Sequence, residues 1–66
     1  SSSKEKKKVV ILSKILEQFE RGKKYSEKEV NQILESIYDD FATIRRYLIE
    51  YGFMSRNKEC TKYWLT

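Results

Sequence analysis

Arg45 and Arg46 stand side by side in the run Thr43-Ile44-Arg45-Arg46-Tyr47. A guanidinium presents donors in a fixed fork that suits phosphate oxygens or the acceptor pair on the edge of guanine. Arg56, Lys58 and Lys62 follow at short spacing and could neutralise further phosphates. Five carboxylates, Glu27, Glu29, Glu35, Asp39 and Asp40, crowd the preceding stretch, and grouped acids can hold a metal or move protons. Three of them have a plainer use at helix starts, Glu29 in a capping box and Asp39 and Asp40 as N-cap residues, and that structural reading is preferred. The chain has no histidine and one cysteine, Cys60, so it cannot assemble the nitrogen and sulfur ligand sets of zinc and lacks the usual general base. No glycine-rich phosphate loop or Ser/His/Asp set is present. The residues therefore point to cationic contact with a partner, with no catalysis, metal or cofactor expected.

The distribution of charge narrows the partner. The 66 residues carry a net charge of +4, but residues 1–24 are net +5, residues 25–42 net −4 and residues 43–66 net +3. A polyanion would meet the two basic ends and be repelled by the middle. The composition, 39% hydrophobic and 14% aromatic without proline, belongs to a folded domain. A lone thiol fits a reducing cytoplasm. The longest apolar run, Val9 to Leu12, is far below the roughly 20 residues of a membrane span. A soluble cytoplasmic protein is the expectation.

Three amphipathic stripes must position these side chains. Leu12, Ile15, Leu16 and Phe19, with Val9 one turn earlier, follow helical spacing and predict a first helix ending near Arg21-Gly22. Residues 1–8 read as a flexible basic tail or a terminal scar, and residues 9–66 as the domain. Ser26 and Glu29 form a capping box ahead of Val30, Ile33, Leu34 and Ile37, which predicts a second helix of about three turns. Lys23 to Tyr25 is then a short connector with a strand-like bridge. A third helix is predicted over about 40–51, from Asp40 through the stripe of Phe41, Ile44, Leu48 and Tyr51 to Gly52. Phe53 to Arg56 and Thr61 to Leu65 read as two short strands joined through Asn57 to Cys60. The expected fold is α+β, a winged helix-turn-helix of three helices followed by a two-stranded β-hairpin wing.

On the third helix, Ala42, Thr43, Arg46 and Glu50 fall opposite the apolar stripe, and Arg46 points most directly outward. A recognition helix of this kind reads base edges in the major groove, which makes Thr43 and Arg46 the base-reading candidates with Arg45 and Tyr47 flanking them. The competing use of Arg46 is an ion pair with Glu50 one turn on. Arg56, Lys58 and Lys62 would follow the phosphate backbone. Tyr63 and Trp64 must face opposite sides of their strand, and Trp64 is favoured to cover the helices. Double-stranded DNA is the expected partner. The alternative is a protein-interaction or dimerisation module, which an exposed apolar patch from Val10, Ile11 and Ile49 would favour.

The run Gly22 to Asn31, the run Asp40 to Leu48, Arg56 and Tyr63-Trp64 together resemble a bacterial family, the domain of unknown function 2087. Its Tyr-x-Glu-x-Glu-Val-Asn helix start, Ala-Thr-(Ile/Leu)-Arg-Arg core and terminal Tyr-Trp recur here in order, over about residues 9–65. The positions shared are Glu29, Asn31, Arg45, Arg46 and Trp64. The resemblance implies a winged-helix-like domain that occurs alone or behind a DNA-binding domain in transcriptional regulators. Members often carry a glycine in the wing turn, and this chain has none between Asn57 and Cys60. The string Thr-Ile-Arg-Arg-x-Leu is also similar to the recognition helix of sugar-responsive winged-helix repressors.

Overall fold

The computed structural model describes residues 3–66. Helix α1 spans Ser3–Ile15 and runs into a single 3-10 turn, Leu16–Gln18; α2 spans Glu27–Glu35 and α3 spans Phe41–Glu50. Strands β1, Met54–Arg56, and β2, Tyr63–Leu65, pair antiparallel with Met54 opposite Leu65, Ser55 opposite Trp64 and Arg56 opposite Tyr63. This is a small α+β domain of three helices and a hairpin.

Each helix start and stop has a local cause. At α2 the Ser26 hydroxyl accepts from the Glu29 amide at 3.1 Å, and the Glu29 carboxylate accepts from the Ser26 amide at 2.8 Å, the reciprocal pair that the sequence predicted. Of the two aspartates ahead of α3, Asp40 is the cap, accepting from the Thr43 amide. Gly52 ends α3 with φ +77°, donating to the Ile49 carbonyl while Phe53 donates to that of Leu48. The left-handed residue turns these two amides back onto free helix carbonyls, and glycine takes that conformation without steric cost.

Three helix boundaries differ from expectation. Helix α1 starts at Ser3, so Lys4 to Lys8 are helical and not a loose tail. The reason lies on α3: the Tyr51 hydroxyl donates to Glu5 at 2.9 Å, and the Lys8 ammonium sits 4.6 Å from the Tyr47 ring centre. At its other end α1 stops at Ile15, because Phe19 is already extended, and Gly22 belongs to a separate turn. Helix α2 also ends early, at Glu35, with Ile37 and Tyr38 both donating to the Leu34 carbonyl in a closing turn that leaves Ile37 exposed.

The core gathers Leu12, Ile15 and Phe19 from the first segment, Val30 and Leu34 from α2, Leu48 from α3, and Tyr25, Met54 and Tyr63. Leu16, Ile44, Phe41 and Leu65 pack around it half-buried. Tyr25 and Tyr63 exchange two backbone hydrogen bonds of 2.7 Å, so the connector before α2 adds a bridge to the far edge of the hairpin. That bridge seats Tyr63 in the core. Trp64 consequently faces the other way, half-buried, with the Lys24 ammonium 5.0 Å from its ring centre. The expectation that Trp64 covers the helices is thus corrected: Tyr63 does so, because the bridge to Tyr25 sets which face of β2 turns inward.

Candidate functional site

Three arginines open on one groove. Arg45 and Arg46 reach it from α3 and Arg56 from β1; Ala42, Ile49 and Tyr63 line its apolar parts, and its volume is about 350 Å³. Two carboxylates, Glu27 from α2 and Glu50 from α3, share the same surface. The groove is therefore basic on balance but not uniformly so.

Two separate polar bonds tie α2 to residues that line the groove. Glu27 and Asn31 lie one helical turn apart and so point the same way. Asn31 accepts a hydrogen bond from the Arg45 guanidinium, and Glu27 accepts from the Tyr63 hydroxyl at 2.8 Å. Burial is the main cause that pushes the Tyr63 phenol up to about 12, and the bond to Glu27 adds to it. Arg45 works in the opposite sense. The proton of Tyr63 is thus fixed on its oxygen, and Glu27 keeps a permanent donor.

The sequence-predicted residues separate into four places. Arg45, Arg46 and Arg56 meet in the groove, with Arg45 bound to Asn31, Arg56 donating to the Asn57 carbonyl at 3.0 Å, and Arg46 exposed. Among the described residues Arg46 has no ion pair, with Glu50 or any other acid. Thr43 is drawn to the helix start, its hydroxyl donating to Asp40 at 2.9 Å. Tyr47 lies on the opposite flank of α3, beneath Lys8 of α1. Lys58 and Lys62 are exposed on the loop between the strands, outside the groove.

That loop is built on a residue the sequence reading passed over. The Asn57 side-chain oxygen accepts from the amides of Thr61 at 2.8 Å and Lys62 at 3.0 Å, and its amide group donates to the Thr61 hydroxyl. Cys60 completes the turn at φ +61°, the left-handed conformation that a turn glycine would take. Glu27 and Tyr63 were likewise missed as a pair. The spacing of Glu27 and Asn31 on one helix face was the signal available for the former.

The fold and groove define a small α+β domain with an arginine-lined concave face between its third helix and its hairpin. The chain belongs to an uncharacterized protein family conserved in bacteria, the domain of unknown function 2087, whose sequence profile matches residues 1–65. This is the family to which the motifs around Tyr25, Arg45 and Trp64 pointed. No curated protein and no solved structure matches the chain. Among the described residues no helix is long and apolar enough to cross a membrane.

Proposed function

We propose that this domain is a winged helix that binds duplex DNA, with the outer face of α3 toward the major groove and the hairpin along the phosphates. The observation that carries this reading is the convergence of Arg46 on α3 and Arg56 on β1 at one open groove, with Arg46 exposed. Arg46 then reads a base edge, while Arg56, Lys58 and Lys62 meet phosphates. Arg45, held by Asn31, braces the groove wall. The acids of α2 stand beside α3 and disfavour phosphate there, which limits the duplex to one orientation.

Selection of binding sites from random duplexes, followed by affinity measurements, tests this. Arg46→Ala is expected to lose about 1–3 kcal/mol on the selected sequence and little on random DNA. Lys58→Ala weakens both alike, and log affinity falls linearly with log salt, with a slope reduced by about one for that variant. A wild-type domain without salt-dependent duplex binding at low salt sinks the reading.

A second reading, a protein-interaction module, draws on a different face. Val10 and Ile11 of α1 are 60% and 44% exposed, a large apolar surface for so small a domain. Ile49, by contrast, is half-buried beside the arginine groove.

A further inference from the structure

Two exposed apolar patches of opposite charge lie on different elements of this chain. On α1, Lys6, Lys7 and Val10 fall opposite the buried Leu12, with Ile11 beside them. Glu5 borders this face, but its carboxylate is drawn to the Tyr51 hydroxyl at 2.9 Å and the Lys8 ammonium at 3.8 Å, so Lys6 and Lys7 leave the face basic on balance. At the turn between α2 and α3, Glu35 to Asp40 are all exposed. There Ile37 and Tyr38 are 41% and 40% exposed, flanked by Glu35, Asp39 and Asp40 with no basic residue among them.

We propose that the chain self-associates by seating the basic, apolar outer face of α1 on the acidic, apolar α2–α3 turn of a second copy. Charge complementarity selects this occupant. An anionic membrane would take the α1 face but be repelled by the turn, whereas a second copy covers both patches at once. In a two-fold dimer the contact occurs twice, since each chain offers one patch of each kind. The inference deepens the protein-interaction reading by naming its partner, and it is independent of the DNA reading.

Charge swaps on the 66-residue chain test it by sedimentation equilibrium from micromolar to millimolar concentration. One variant carries Lys6→Glu with Lys7→Glu, the other Glu35→Lys with Asp39→Lys. All four sites are exposed, and acids early in α1 and a lysine at the end of α2 suit the helix dipoles. Asp39→Lys sets a cation ahead of α3 but leaves the Asp40 cap in place. A cooperative unfolding midpoint measured for each variant verifies that it is folded. Wild type is expected to self-associate more weakly as salt rises. Each swap alone should weaken association by about tenfold or more, because like charges now face each other. An equimolar mixture of the two should restore a heterodimer.

Wild-type association that survives both swaps, or swaps that are not rescued on mixing, overturns this pairing while leaving a protein-interaction role in place. A chain that stays monomeric throughout overturns the pairing and leaves that role dependent on a different protein. A monomer that binds vesicles of anionic lipid through Lys6 and Lys7 assigns the α1 face to a membrane surface instead.

Discussion

Arg45 of α3 donates to the side-chain oxygen of Asn31 of α2, pinning the two helices together at the edge of the arginine groove. A bond between partly buried partners, one of them charged, is worth about 1.5–3 kcal/mol. Asn31→Ala and Arg45→Ala are each expected to lower the urea midpoint. In a double-mutant cycle their effects should fall short of additivity by roughly 1 kcal/mol. Arg46→Ala, at an exposed position, should leave the midpoint within about 0.5 kcal/mol of wild type. Strict additivity at 31 and 45 would show that the bond contributes nothing.

The Tyr63 phenol gives stability a dependence on alkaline pH. Its pKa is pushed up to about 12, mainly by burial, from the ordinary value of 10. The native state thus holds this proton more tightly than the unfolded chain. The contribution is fully present below pH 10 and is lost between about pH 10 and 12 as the unfolded tyrosine ionises first. Its size is of order 2 kcal/mol. Tyr63→Phe lacks this step, so the difference in stability between wild type and variant should shrink across that window. A constant difference would refute the assignment.

Cys60 adopts a left-handed backbone, φ +61°, in the turn that Asn57 organises. Such a conformation costs a residue with a Cβ about 1 kcal/mol, and a β-branched one more. Cys60→Gly should raise the thermal midpoint by the equivalent of up to about 1 kcal/mol, and Cys60→Val should lower it. The order Gly above Cys above Val is the measurable outcome. The reverse order would mean that packing of the half-buried thiol outweighs the backbone term.

Leu48 is fully enclosed where α3 meets the other helices, whereas Val10 is mostly exposed on α1. Leu48→Ala should therefore cost about 2–5 kcal/mol, comparable to the whole stability of so small a domain. Val10→Ala should stay within about 0.5 kcal/mol. A cooperative unfolding midpoint unchanged by Leu48→Ala would contradict the placement of α3.

What the sequence disclosed depended on whether the cause was local. The capping box of Ser26 and Glu29, the stripe along α3 and the stop at Gly52 are short-range chemistry, and all were legible. The start of α1 was not, because Glu5 and Lys8 are held by Tyr51 and Tyr47 more than thirty residues away. Helical spacing also carried the second helix on to Ile37, although the chain turns after Glu35 and that side chain stays exposed. Alternation along β2 required Tyr63 and Trp64 to diverge but could not choose between them. In the groove, the three arginines were legible as cations, while the Asn31 and Glu27 contacts depend on how α2 packs beside α3 and the hairpin.

The paired backbone bonds between Tyr25 and Tyr63 also bear on how the chain comes to fold during synthesis. Before residue 63 leaves the ribosome, the segment ahead of α2 has no strand to bridge, and the ring of Tyr25 lacks one wall of its site. The three helices can form early as local structure, but the hydrophobic surface of Leu12, Phe19 and Val30 stays open to misassociation until the last strand arrives. Closure is then late and all at once. Shortening the chain to end before Tyr63 should yield fluctuating helices, not a smaller native domain.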